Sequence, residues 1–323
     1  MYQYLENNWQ RWYYDDDPTQ IYRTSADQIF NVDFDLDPTP PDDLRTELIR
    51  ACHSVRDTYP NEKFSLMLSG GSESELMVRA FVEAKVPFDI YITRLANDLN
   101  IYDVSHAVIL CENLGIPYKI IEFDHVKFFE SKIFDYSKNA EMTYPSQLVV
   151  CAVVDQIDGL PIAGNGDACI MRRPYPYDGR PHMWCNVEIE ADYGCAKYLL
   201  KQNRPAVTDF FRWNHRLLKS ITKTVWWNDL LANKIYGKLG KESSKIHGYR
   251  EIYPELIVRR KSWGMENILP QNYNLSEEKS VIRGTFYGSA GVVVRIVFLF
   301  LVNLFLAISL AKIFLRLAKS DLL

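Results

Sequence analysis

The sequence predicts an α/β fold, a parallel sheet with helices on both faces, followed by a helical C-terminal half and a C-terminal membrane helix. Three observations predict it. Four short apolar runs, at 64–68, 88–93, 118–123 and 160–163, alternate with segments of helical periodicity, the pattern that a covered parallel sheet produces. The first run breaks into Ser69-Gly70-Gly71-Ser72 just before a helical segment. Residues 292–311 hold one formal charge, Arg295, in twenty positions.

Composition sets the frame. The chain has 323 residues, 47% hydrophobic, with 37 basic against 41 acidic side chains and a formal net charge of −4. That excludes a disordered or collagen-like chain. A pI of about 5.9 gives no bulk charge to neutralise a nucleic-acid backbone, so nucleic acid is neither supported nor excluded. The six cysteines, at 52, 111, 151, 169, 185 and 195, form no CxxC pair and no zinc-ligand spacing. They read mostly as small core residues of a reduced, cytoplasmic domain. The N-terminal text MYQYLENNWQRWYYDDD is acidic where a signal peptide needs a basic and then an apolar region.

In order along the chain, residues 1–45 are rich in Trp, Tyr and Asp and punctuated by Asp15-Asp16-Asp17-Pro18 and Pro38-Thr39-Pro40-Pro41. They read as an aromatic, acidic leader with little regular structure, draped over the main domain and serving packing. Leu44 to Tyr59 has helical spacing. Phe64 to Leu68 reads as a buried strand, Ser74 to Ala84 as a helix with apolar positions 76, 77, 80 and 81, and Phe88 to Thr93 as a second strand. Asp103 to Leu114 is a helix, Tyr118 to Phe123 a third strand, Pro145 to Ile157 a helix and Leu160 to Ala163 a fourth strand. Ligands of such sheets bind off the C-terminal ends of the strands, so the loops after strands one, two and four should carry the chemistry. Beyond about 170 the strand signal fades, and 191–202, 206–220, 224–236 and 240–250 read as helices. The implied domains are the leader (1–45), a nucleotide-binding domain (46–170), a helical acceptor-side region (171–284) and a membrane segment (285–323).

The loop LMLSGGSESELMVR, residues 66–79, suits phosphate. Glycines let amides turn inward, the hydroxyls of Ser69, Ser72 and Ser74 add donors, and a helix N-terminus adds partial positive charge. Glu73 among those donors would oppose a bound phosphate unless a cation lay between them, which points to Mg²⁺. The loop lacks the GxxxxGK[ST] spacing and the GxGxxG pattern. It reads as a working nucleotide site, a nucleotide-binding domain without catalysis, or a packing turn.

At these residues the sequence resembles the N-type ATP pyrophosphatases, the PP-loop family, whose signature SGGxDS follows the first strand. Ser69, Gly70, Gly71 and Ser74 match it, and Glu73 stands where the family has Asp. Residues 103–123, DVSHAVILCENLGIPYKIIEF, look like the family's second unit. The resemblance covers about 60–165 and is nearest the synthetase domain of asparagine synthetase, without its glutamine amidotransferase domain. That group has GEGxDE after the fourth strand. Here Gly164 and Gly166 match, Asn165 replaces Glu, and the Asp-Glu pair falls on Ala168 and Cys169, leaving Asp167 as a metal ligand shifted by one residue.

The resemblance implies a Rossmann-like PP-loop fold that uses ATP and Mg²⁺. Adenine would be read near Tyr91 to Arg94, Thr93 included. Asp103 reads as a helix N-cap or a ligand contact, and Asn100 as part of the same mouth. His106 and His125 read as surface or capping residues. Arg172-Arg173 and Arg259-Arg260-Lys261 read as solvated charge runs or as cations for the departing pyrophosphate, with Arg173 and Lys261 the candidate catalytic pair. Residue 2 is Tyr, so no N-terminal cysteine nucleophile is expected, and the cysteines lack a thiolase spacing. The expected reaction is adenylation of an unidentified acceptor with release of pyrophosphate. The alternative is an inactive nucleotide-binding or interaction module at a membrane.

In VVVRIVFLFLVNLFLAISLA, residues 292–311, about fifteen residues are strongly apolar. Twenty helical residues span about 30 Å, the thickness of a bilayer core. The gain from those side chains outweighs the roughly 3 kcal/mol of one arginine near an end. Lys312, Arg316 and Lys319 follow as a basic stripe for anionic head groups. The alternative is a buried core helix. The expectation is a cytoplasmic domain anchored through 292–311.

Overall fold

The computed structural model describes residues 9–25, 27–34, 38–142, 145–166, 169–171, 183–185, 193–221, 223–224 and 248–256. All belong to the first of the chain's two units, Met1–Ile268. Its centre is a four-stranded parallel sheet in the order β5-β4-β3-β6, formed by β3 (Phe64–Met67), β4 (Asp89–Leu95), β5 (Tyr118–Phe123) and β6 (Leu160–Ala163). All four are the strands expected from the apolar runs.

The register pairs Leu66 with Ile90 and with Ile162, and Thr93 with Ile121. Because side chains alternate across a strand, Ile90 and Ile92 enter one core while Tyr91 and Leu95 enter the other. The first core is roofed by α1 (Leu44–Thr58), α2 (Ser72–Glu83), α3 (Ile101–Leu114) and α8 (His215–Ile221). The second is covered by α4 (His125–Ser131), α5 (Ile133–Ala140), α6 (Pro145–Val154) and α7 (Gly194–Lys201). Helices therefore lie on both faces. From β3 the chain steps outward through α2 and α3 to β5, then returns beneath the sheet to place β6 on the other side of β3. The strand order reverses between β3 and β6, and the crevice at such a reversal is where doubly wound sheets hold ligands.

Four expectations are corrected. The leader contains an antiparallel hairpin, β1 (Gln10–Tyr14) with β2 (Phe30–Phe34), rather than irregular chain. Trp12 and Tyr14 are buried under it, and Asp15 to Asp17 form a turn after β1 instead of ending regular structure. Residues 125–140, given no element from sequence, are two short helices. A second antiparallel pair, β7 (Cys169–Met171) with β8 (Met183–Cys185), lies where the strand signal faded. The helix expected over 206–220 is helical only at 210–212 and 215–221. Val207 instead bridges Ile162 in parallel, adding an edge beside β6.

The helix expected at 224–236, apart from its first residue, most of the helix expected at 240–250, and the membrane segment 292–311 lie outside the described residues. Among the described residues no helix is long and apolar enough to cross a membrane.

Candidate functional site

The loop after β3 is built around Ser74. Its hydroxyl accepts the amide of Ser69 at 3.1 Å, lies 3.0 Å from the Ser69 hydroxyl and donates to the Gly71 carbonyl at 3.0 Å. Ser74 is buried and Ser69 exposed, so the buried hydroxyl fixes a loop whose outer wall faces solvent. Gly71 is the N-cap of α2 and supplies no side-chain cap, and the N-terminus of a helix favours an anion.

Gly70 sits at φ +77°, and a Cβ there would stand 2.1 Å from the carbonyl oxygen of Asp103. The loop is thus pressed onto the first turn of α3, and no other residue fits. Gly164 is also closely packed, because its Cβ would come 2.8 Å from the Cα of Ser74. The loops after strands one and four therefore meet at the point where the strand order reverses.

Ser72 opens α2 and donates to the Glu73 carboxylate at 3.2 Å. Glu73 lies half-buried in that first turn, where a phosphate bound beside it would need a cation between the two. Mg²⁺ takes one or two carboxylates and completes its six positions with phosphate oxygens and water. The donor set therefore fits a magnesium–phosphate group even though the described residues contain no cluster of three His, Cys, Asp or Glu. Asp167, the second expected metal ligand, lies outside the described residues, as do Arg172, Arg173, Arg259, Arg260 and Lys261.

Asp103 is not the N-cap of α3. Asn100 holds that position and Asp103 lies in the first turn, buried, where a carboxylate favours the positive end of the helix. Thr93 is half-buried near the end of β4, and its carbonyl accepts from Asn100 Nδ2 at 2.9 Å. His106 packs its ring edge-on against Tyr102 at 4.7 Å. His125 is buried rather than at the surface, and burial lowers its pKa. Cys52, Cys111, Cys151 and Cys195 are free and buried, with the Cys111 thiol pushed up to about 11 by burial.

Sequence reasoning missed the segment beside Gly166. The amide of Phe211 donates to the Asn165 carbonyl at 3.0 Å, and Asn165 Nδ2 donates to the Thr208 carbonyl at 3.4 Å. Arg212 is buried, ion-paired to Asp209 at 2.6 Å and positioned over the Tyr193 ring. A Cβ on Gly166 would meet Arg212 Nε at 2.7 Å and Asp209 Cβ at 2.8 Å. Trp9 Nε1 donates to the Arg212 carbonyl at 3.0 Å, so the N-terminal segment braces this wall. Only the Phe-Phe-Arg text after an Asp hinted at it, and a contact 43 residues away has no local signature.

No known family model matches the chain, and no curated protein sequence is similar to it. Among solved structures it is similar to NMN synthetase from Francisella tularensis, at 20% identity over 37% of this chain and 52% of that one, with a TM-score of 0.27. It is similar to NH3-dependent NAD synthetase from Campylobacter jejuni, at 17% identity over 72% of this chain and 100% of that one, TM-score 0.30. A third is glutamine-dependent NAD+ synthetase from Acinetobacter baumannii, at 13% identity over 73% and 52%, TM-score 0.30. The chain spans about half the length of the Francisella and Acinetobacter proteins. Likenesses this slight say nothing of its activity.

Proposed function

We propose that the chain is an ATP-dependent adenylating enzyme of the PP-loop kind, asparagine synthetase-like in forming an amide on an acceptor still to be identified. The observation that carries this reading is the meeting of the Ser69–Ser74 and Gly164–Gly166 loops at the reversal point of the sheet, with the open N-terminus of α2 between them. Ser69, Gly70, Gly71, Ser72 and Ser74 would hold the phosphates, and Glu73 would hold Mg²⁺ against them. When bound, the ion supplies charge neutralisation to the departing pyrophosphate. An acceptor oxygen attacks the α-phosphorus, its new P–O bond replacing the bond to pyrophosphate, and a nitrogen nucleophile then displaces AMP. Arg173 and Lys261 are proposed as the cations facing that charge.

Residues 292–311 are proposed as a membrane anchor that leaves the nucleotide domain on the cytoplasmic side. ATP–pyrophosphate exchange across a panel of acceptors tests the enzyme reading. Exchange in the natural chain that is lost in Ser69→Ala and Glu73→Ala supports it. For the anchor, truncation after Ser289 should release the protein from membranes, and unchanged partitioning refutes it.

A second reading, nucleotide binding without turnover, is favoured by Asn165. The amide that stands where the resemblance expects a carboxylate is turned to the Thr208 carbonyl. ATP binding without Glu73-dependent exchange would decide for it.

A further inference from the structure

Strand β3 ends at Met67, and its last hydrogen bond to β4 runs from the Leu68 amide to the Tyr91 carbonyl at 2.9 Å. The chain then turns away into the Ser-Gly-Gly loop. Peptide groups alternate along a strand, so the Thr93 amide, the Thr93 carbonyl and the Leu95 amide come next on that edge of β4, past the end of β3 and with no strand beside them among the described residues. A carbonyl acceptor with an amide donor two residues on offers the same pair of groups as a carboxamide, and a carboxamide pairs in bidentate fashion with the amine and ring nitrogen of adenine.

Both groups are taken by one side chain. Asn100 Nδ2 donates to the Thr93 carbonyl at 2.9 Å, and Asn100 Oδ1 accepts the Leu95 amide at 2.8 Å. Asn100 is the N-cap of α3, a position where Asn ordinarily caps the helix with its side chain, yet it makes no cap bond there. The turn that brings it back passes through two successive left-handed residues, Asn97 (φ 59°) and Asp98 (φ 58°), and is tied by Arg94 to Asp98 at 2.6 Å. Asn100 also lies three residues before Asp103, onto which the phosphate loop is pressed. The occupied strand edge and the proposed phosphate cradle are therefore neighbours.

We propose that Asn100 is a built-in mimic of the base: its carboxamide holds the strand edge that the adenine of ATP takes, and nucleotide binding displaces it. This rests on the reading of the crevice as an ATP site. Released from β4, the same side chain is free to cap α3.

The test compares ATP with tripolyphosphate, which has the phosphates and no base, by titration calorimetry on the full-length natural chain, Asn100→Ala and Asn100→Ser. Serine keeps an N-cap for α3 but is too short to reach β4. Both variants should bind ATP about tenfold more tightly, the worth of two neutral hydrogen bonds, and tripolyphosphate as before. In hydrogen exchange, the Leu95 amide should lose protection in both variants and regain it with ATP but not with tripolyphosphate. ATP affinity that is unchanged or weaker, beside normal tripolyphosphate binding, overturns the mimic and leaves the phosphate site standing. Loss of folding in both variants also overturns it, because a side chain the fold requires cannot be displaced. Failure of the natural chain and both variants to bind either ligand overturns the ATP-site reading and the mimic with it.

Discussion

The buried hydroxyl of Ser74 accepts the amide of Ser69 at 3.1 Å, joining the first helical turn of α2 to the end of β3 across the loop between them. Ser74→Ala leaves that amide and the Gly71 carbonyl without this partner while barely changing volume. The variant should lose about 1–3 kcal/mol of stability in urea denaturation. Its affinity for tripolyphosphate should fall as the loop loses its brace, whereas Ser72→Ala, at the half-buried first position of α2, should change stability little.

Three glycines with positive φ separate backbone cost from steric cost. Gly115 caps α3 at φ +65° with nothing within 4 Å of an added Cβ, whereas Gly70 at φ +77° would press a Cβ to 2.1 Å from a main-chain oxygen. Gly115→Ala should cost only the left-handed penalty, about 1–2 kcal/mol. Gly70→Ala adds a clash that only movement of α3 relieves, for a total of about 3 kcal/mol or more. Gly166→Ala should fall between them, because its nearest neighbours are the side chains of Arg212 and Asp209. Denaturation midpoints of the three variants give the order directly.

The sheet was legible because each strand is an apolar run cut off by turn residues, as Phe64 to Leu68 is by Ser69-Gly70. The turn from β3 into α2 was legible for the same reason, Ser69-Gly70-Gly71-Ser72 being consecutive residues. What was not legible depends on distant contacts. Trp12 and Tyr14 alternate with Arg11 and Tyr13 as a half-buried strand should, but the Asp run after them resembles a breaker until Phe30 to Phe34 is seen to return beside it. Val207 joins β6 through backbone bonds that carry no residue preference. Asn100 stands where an N-cap belongs, and nothing in its neighbouring residues signals that its side chain turns back to β4.

Arg212 and Asp209 form an ion pair whose side chains are 5% and 18% exposed, and removing one partner takes a charge-assisted hydrogen bond from the other. Asp209→Asn should therefore cost about 1.5–3 kcal/mol. Arg212→Met should cost less than the charge change suggests, since methionine refills the buried volume. The double variant Asp209→Asn/Arg212→Met should lose less than the two single losses combined, and strict additivity in a double-mutant cycle would show that the pair is not coupled.

His125 gives the fold an acid limit. It is 1% exposed, and neither ring nitrogen has a hydrogen-bond partner among the described residues. Burial holds its pKa below the ordinary 6.5, with Asp124 opposing weakly. Below pH 6.5 the unfolded chain therefore takes up a proton that the folded chain refuses, and the slope of stability with pH is positive wherever the unfolded state binds more protons. Stability from this residue is complete above that value and declines as pH falls toward the lowered folded-state pKa. Other groups titrate in the same range, so the diagnostic quantity is a difference. Between pH 7.5 and 5.5 the urea midpoint of the natural chain should drop further than that of His125→Phe, whose ring can keep the edge-on contact with Phe129, now at 6.3 Å. Phenylalanine also removes two buried polar atoms, so His125→Phe should be at least as stable as the natural chain at pH 7.5. Equal pH slopes in the two proteins would place the acid sensitivity elsewhere.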